Sequence, residues 1–245
     1  MKPVIHWMPE CASTSAELAR MADAPAGTTV ATHCQTAGRG QRGNSWEAKP
    51  GHNLTFSVLL RPETIPAARQ FELSMLVALA VADTVSGLLE GTDAPEVTVK
   101  WPNDIYIGDS KVCGMLIENS LRGRDIEHSI AGIGVNINQR RFVSDAPNPV
   151  SVISYTGREI MLEPLLDELC TRIVHDVEAY TGTPADASTL LERYRSRLWR
   201  GYGIHPFRTP DGERFKAAIE SIAPDGTLTL SNGRSFAFKE VIFEL

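Results

Sequence analysis

Gly38-Arg39-Gly40-Gln41-Arg42-Gly43 sets two guanidiniums among glycines that leave the backbone amides exposed. Such a loop can close over a phosphate or a carboxylate, because arginine donates paired hydrogen bonds to both. The string also matches Gly-x-Gly-x-x-Gly, the phosphate turn of dinucleotide-binding folds. That mechanism needs a helix directly after the glycines, so that its N-terminus faces the phosphates. Here Asn44-Ser45-Trp46-Glu47-Ala48-Lys49-Pro50-Gly51 is a turn-rich path into another strand, which argues against it. A protein-kinase glycine loop is excluded, since neither His-Arg-Asp nor Asp-Phe-Gly occurs. An anion-closing loop and a plain solvated turn both remain open on this segment alone.

A second constellation joins Lys100-Trp101-Pro102-Asn103-Asp104 to Lys111-Val112-Cys113-Gly114. A lysine at the mouth of a hairpin is ordinarily a solvated charge. Gly114 three residues later leaves room beside Lys111, which favours a ligand-facing site. The third is Gly132-Ile133-Gly134-Val135-Asn136-Ile137-Asn138. Across Ile130–Ile137, Ala131, Ile133, Val135 and Ile137 share one face, and Gly132, Gly134 and Asn136 the other. Glycine weakens a strand but lets a ligand approach its backbone, so one face reads as core and the other as a binding surface.

These residues need a scaffold. Ser13–Ala19 reads as a helix start, with Thr14 and Glu17 at capping-box spacing. Thr28–Gln35 and Leu54–Leu60 read as strands, the latter with Leu54, Phe56, Val58 and Leu60 on one face. An amphipathic helix is expected over Ala67–Leu89. Val97–Trp101, Ile105–Ile107 and Val112–Glu118 read as strands, the last two joined as a hairpin. Helices are expected over Pro164–Thr181 and Ala187–Trp199. Beyond Arg200, strands at Phe215–Ile222, Thr227–Leu230 and Ser235–Phe243 are joined by Pro224-Asp225-Gly226 and Asn232-Gly233, a hairpin signal. The reading is a mixed α/β domain over 1–199 followed by a small β module over 200–245.

Composition narrows the classes. The 245 residues carry a net charge of −6, with a pI of about 5.6. That is the wrong field for a nucleic-acid binder. No run of ~20 apolar residues suggests a membrane span, and no signal peptide is evident. Four dispersed cysteines and six dispersed histidines form no metal or disulfide spacing, which suits a reducing cytoplasm.

Thr36-Ala37-Gly38-Arg39-Gly40, Lys100–Asp104, Lys111 before Gly114, and Gly132–Asn138, with Ser13-Thr14 upstream, stand in the order and spacing of biotin–protein ligases. The chain resembles that family along essentially its whole length. It looks like the monofunctional type, without room before Ser13 for an N-terminal DNA-binding domain. The resemblance implies an α/β (α+β) fold, a mixed sheet with helices like the class II aminoacyl-tRNA synthetase catalytic fold, plus a C-terminal SH3-like β-barrel. It implies an ATP-dependent ligase that forms biotinyl-5'-AMP and transfers biotin to a lysine of a carrier protein. ATP would come with Mg2+. The carrier would be the biotin carrier domain of an acyl-CoA carboxylase, and the protein a monomer or homodimer.

By the same resemblance, Lys111 and Arg39 would carry the catalysis. Ser13, Thr14, Ser15, Gln35, Arg39, Gly40, Gln41, Lys111, Gly114, Gly132 and Gly134 would hold biotin and its adenylate. The glycines would leave space for the bicyclic ring. Arg42, Trp46, Asn103, Asp104 and Asn136 would serve the nucleotide, Asn103 and Asp104 supporting either the nucleotide or a magnesium ion. The alternatives are a lipoate or octanoate transferase of the same superfamily and a non-catalytic biotin sensor.

Two positions depart from the pattern: many relatives are basic where this chain has Gln41 and Asn44. Glutamine offers a hydrogen bond without charge, and a charge-assisted hydrogen bond contributes roughly 1.5–3 kcal/mol. Gln41→Arg is therefore expected to slow adenylate dissociation by about one to two orders of magnitude. Equal off-rates in wild type and variant would remove this explanation.

Overall fold

The computed structural model describes residues 2–21, 23–38, 46–144 and 147–244. Arg39, Gly40, Gln41 and Arg42 lie outside the described residues. Seven strands make the main sheet: β1 (Val4–Cys11), β2 (Thr28–Gln35), β3 (Leu54–Leu60), β4 (Val97–Lys100), β5 (Asp104–Ile107), β6 (Ser110–Arg122) and β7 (Asp125–Val135). Their order is β1-β2-β3-β7-β6-β5-β4. β1 and β2 are parallel, and the other neighbours are antiparallel.

The helices are α1 (Thr14–Ala19), α2 (Phe71–Leu88), α3 (Ile153–Thr156), α4 (Leu162–Ala179) and α5 (Pro184–Ser196). Side-chain alternation in the strands decides which lies where. Leu54, Phe56, Val58 and Leu60 of β3 and Ala131, Ile133 and Val135 of β7 join the large core with α2 and α4. The opposite parity is different. Leu59 and Ile130 meet Leu18 of α1 and Val30 of β2 in a small second cluster. The rest of that face, Thr55, Gly132 and Gly134 among it, is open to a cavity.

α2 is apolar enough and long enough to cross a membrane by composition, yet 72% of it is buried within the protein. It packs on α4, α5, β4 and β5. A helix apolar on nearly every side belongs inside, so the amphipathic reading of this segment is corrected. Its buried Glu72 pairs with Arg69 Nε at 2.6 Å and accepts from the Tyr180 hydroxyl at 2.9 Å.

Past α5 the chain forms β8 (His205–Arg208), β9 (Arg214–Ala217), β10 (Ile219–Ile222), β11 (Leu228–Leu230), β12 (Ser235–Phe236) and β13 (Ile242–Phe243). They make two antiparallel sheets, β13-β8-β9 and β10-β11-β12, consistent with the expected SH3-like module. Phe207 touches the rings of Phe215 and Phe243 at its centre. Trp101 Nε1 donates to Gly226 O at 3.0 Å, tying this part to the main sheet.

Several sequence expectations shift. β1 was not expected: Val-Ile-His-Trp-Met-Pro-Glu-Cys has no clean alternation, and Pro9 is tolerated because the strand is at an edge. The segment before α2 is a separate 3-10 turn, Ala67–Arg69. β7 starts at Asp125 and ends at Val135, since Gly123 turns β6 directly into it at φ +66°. α4 starts at Leu162, ahead of Pro164. α5 starts at Pro184, where Thr183 accepts from Asp186 N. The strand expected at Phe215–Ile222 divides into β9 and β10, and that at Ser235–Phe243 into β12 and β13.

All four cysteines are free thiols; Cys11, Cys113 and Cys170 are buried and Cys34 is half-buried. Burial pushes the Cys113 thiol up and the Cys170 thiol to about 12. Only thiolate alkylates. Iodoacetamide at about pH 8 is expected to label Cys34 ahead of the other three in the folded protein. Peptide mapping checks this, and early labelling of Cys113 or Cys170 would contradict it.

Candidate active site

The face left open by the sheet borders a cavity of about 770 Å³. Its chemistry is divided between a hydroxyl and amide end, a bare floor and a charged end.

The hydroxyl end comes from the start of α1. Ser13 is extended, and its Oγ accepts from Ala16 N at 3.4 Å, so Ser13 rather than Thr14 is the helix cap. The capping-box expectation for Thr14 and Glu17 is thereby corrected; Glu17 pairs with Arg20 instead. Thr14 is free to serve the cavity. Its N–H and hydroxyl both donate to Gln35 Oε1, at 2.9 and 3.3 Å. Ser57 Oγ lies 2.8 Å from Thr14 Oγ1 and 2.9 Å from Ser15 Oγ. Ser57 escapes the sequence reading because it sits inside the apolar run Leu54–Leu60. Its only signal is parity, since Thr55 and Ser57 alternate with the core-facing residues.

The floor is a matter of register. Thr55 of β3 pairs with Gly134 of β7, which pairs with Gly114 of β6. The Trp46 indole lies on these two glycines: a Cβ on Gly134 would fall 2.3 Å from its ring, and one on Gly114 2.9 Å. The expected space is therefore present, but over Gly114 and Gly134 it holds the indole. Gly132 gives its space to Ser15, whose Oγ would be 2.7 Å from a Cβ there.

The charged end comes from the β4–β5–β6 hairpins. Lys111 Nζ and Asp104 Oδ2 form an ion pair at 2.7 Å, each about a third exposed. The segment 148–150 braces Lys111, whose N–H donates to Asn148 O and whose carbonyl accepts from Val150 N. Lys100 Nζ donates to the Tyr106 hydroxyl at 3.1 Å. Rings of Tyr106, Trp199 and Phe243 surround it at 5.2, 5.6 and 5.8 Å. Burial lowers the Lys100 pKa; Asp104 opposes this, and Lys111 and Arg200 add to it.

Ser13, Thr14, Ser15, Gln35, Trp46, Asp104, Lys111, Gly114, Gly132, Gly134 and Asn136 thus meet around one cavity. Asn136 is buried, and its Oδ1 has no hydrogen-bond partner among the described residues. Asn103 does not reach the cavity. It is buried, and its Nδ2 donates to Ser74 Oγ of α2 at 3.0 Å. Among the described residues, no group of three metal-ligating side chains forms. Lys100, named only as part of the Lys100–Asp104 run, also lines the cavity, as do Tyr106, Glu47, Phe238 and Lys239, to which the sequence assigned no role. Phe238 and Lys239 come from the C-terminal part, which no local motif could relate to β4–β7.

Gly134→Ala would drive a methyl into the indole. The expected outcome is a red-shifted tryptophan emission that disappears in a Trp46→Phe background. An unshifted spectrum with an intact melting transition would contradict the stacking.

Comparison with known proteins fits this geometry. The chain is 30% identical over 230 residues to the biotin–[acetyl-CoA-carboxylase] ligase of Mycobacterium tuberculosis (strain ATCC 25618 / H37Rv), covering 90% of this chain and 80% of that protein. It is 39% identical over 127 residues to the bifunctional ligase/repressor BirA of Bacillus subtilis (strain 168), covering 52% of this chain; the chain spans only 37% of that relative's length. The fold is that of a biotin protein ligase from Aquifex aeolicus solved with biotin and ATP, at TM-score 0.78 and 22% identity, covering 100% of this chain and 99% of that one. Residues 8–136 match the biotin/lipoate A/B protein ligase family, and the chain belongs to that family.

Proposed function

We propose that the chain joins biotin to ATP as biotinyl-5'-AMP and passes the biotinyl group to a lysine of a carrier domain. The observation that supports this best is one cavity with hydrogen-bonding hydroxyls at one end and the Lys111–Asp104 pair at the other, separated by a glycine floor. The relative named for acetyl-CoA carboxylase suggests that enzyme's biotin carrier domain as the acceptor.

In the first step an oxygen of the biotin carboxylate bonds to the α-phosphorus of ATP, and pyrophosphate leaves. Lys111 would face the negative charge that gathers there, and fixed positive charge lowers such a barrier. Arg39 would clamp the carboxylate and later the adenylate, with Gly40, Gln41 and Arg42 lending backbone and side-chain donors. In the second step the carrier amine attacks the acyl carbon, forms the amide and gives up a proton, and AMP leaves with the bridging oxygen.

Ser13, Thr14, Ser15 and Gln35 would receive the polar head group, and Ser57 would hold Thr14 and Ser15 in place. Trp46 would offer an apolar ring face to the substrate. Asn136 Oδ1, without a partner among the described residues, suits an N–H donor such as an adenine amino group. ATP would enter as its magnesium complex, with most metal ligands supplied by phosphate and water and Asp104, a carboxylate lining the cavity, contributing. Residues 1–199 would form the catalytic domain and 200–245 an appended module that completes the charged end through Phe238, Lys239 and Phe243. The acidic net charge does not suit a nucleic-acid partner.

Lys111→Ala is expected to cut biotin-dependent pyrophosphate release by about 10²–10³-fold while the melting temperature stays within a few degrees. Near-normal turnover would reject the assigned role. Wild type incubated with biotin, Mg-ATP and a carrier domain should add one biotinyl mass to the carrier. Biotin binding without pyrophosphate would instead identify a sensor.

A further inference from the structure

We propose that Glu47 is a positioning residue that fastens two walls of the cavity together, so that Trp46 and the 139–144 segment act as one surface. Trp46 and Glu47 line one wall, and Phe142 and Ser144 line the other. They are more than ninety residues apart in the chain. The Glu47 carboxylate spans them. Its Oε1 accepts from Gln139 Nε2 at 2.9 Å and from Val143 N at 3.0 Å, and its Oε2 accepts from Ser144 N at 2.7 Å.

Gln139 makes the joint rigid. It is 1% exposed. Its second Nε2 hydrogen goes to Arg141 O at 2.9 Å, and its Oε1 accepts from Lys49 N at 2.8 Å and Asn53 Nδ2 at 2.6 Å. Every hydrogen-bonding position of that amide is used, so it has one orientation. Burial pushes the Glu47 carboxyl up, but hydrogen bonds from Ser144, Val143 and Gln139 outweigh it and hold the group below its ordinary range. The bound form is thus the carboxylate, with both oxygens engaged.

A glutamine at this position keeps the shape but offers one acceptor oxygen instead of two. Val143 N reaches both oxygens, at 3.0 and 3.2 Å, and the locked Gln139 amide needs an acceptor at Oε1, so the donor that loses its acceptor is Ser144 N. Resting on the ligase reading, Glu47→Gln should raise KM for biotin and for Mg-ATP about tenfold with kcat within about twofold, the pattern of lost uniform binding. Amide exchange at Ser144 should rise, and Trp46 emission should shift in a way that a Trp46→Phe background removes. Faster exchange with unchanged KM and unchanged emission would reduce Glu47 to a loop cap and overturn the proposal, as would no change in any readout. If wild type itself releases no pyrophosphate with biotin, the ligase reading fails, and exchange together with Trp46 emission still decides the role of Glu47.

Discussion

Gly114 on β6 stands opposite Gly134 on β7, and Gly134 stands opposite Thr55 on β3. Most of the site depends on that register. Because side chains alternate along a strand, a slip of one residue would turn Met115 and Ile133 toward the cavity and the glycines toward the core. The bare row would vanish and the indole of Trp46 would have nowhere to lie. The register is held by the same alternation that endangers it: Ala131, Ile133 and Val135 are all buried beneath the sheet. Packing against α2 and α4 therefore specifies the floor of the cavity from behind.

The charged end obeys a different constraint. Lys111 keeps a carboxylate partner and partial contact with water, which limits the cost of its charge. Lys100 is more enclosed and is held by three aromatic rings and a phenol oxygen. Cations are stabilised by ring faces, the more so when water is excluded. Two of those rings, Trp199 and Phe243, lie at or beyond the end of the main body. The small C-terminal sheets thereby contribute to the electrostatics of the site as well as to its rim.

Much of the scaffold was legible because it is written in short periods. β2 and β3 fall on Thr28–Gln35 and Leu54–Leu60 as read, and the two faces of β7 follow from alternating glycine and aliphatic residues. Errors arose where local patterns compete with tertiary demands. Thr14 has the spacing of a helix cap, but Ser13 takes that role and leaves Thr14 to Gln35 and Ser57. Asn103 shows how a motif-like run can also carry a structural contact, since its amide donates to Ser74 of α2. The edge strand β1 has no clean apolar alternation in its sequence to reveal it; pairing with β2 and partial packing of Ile5, Trp7 and Met8 keep it extended.

The sequence by itself determined the family resemblance, the mixed α/β class and most residues that meet at the cavity, because their types and spacing are local properties of short segments. Only the tertiary structure decided how they meet. It laid Trp46 on Gly114 and Gly134, hid Ser57 among apolar neighbours as a link between Thr14 and Ser15, and brought Glu47 to the amides of Val143 and Ser144. Each of these contacts joins segments distant in the chain. Their geometry follows from strand register and close packing, which no single segment encodes.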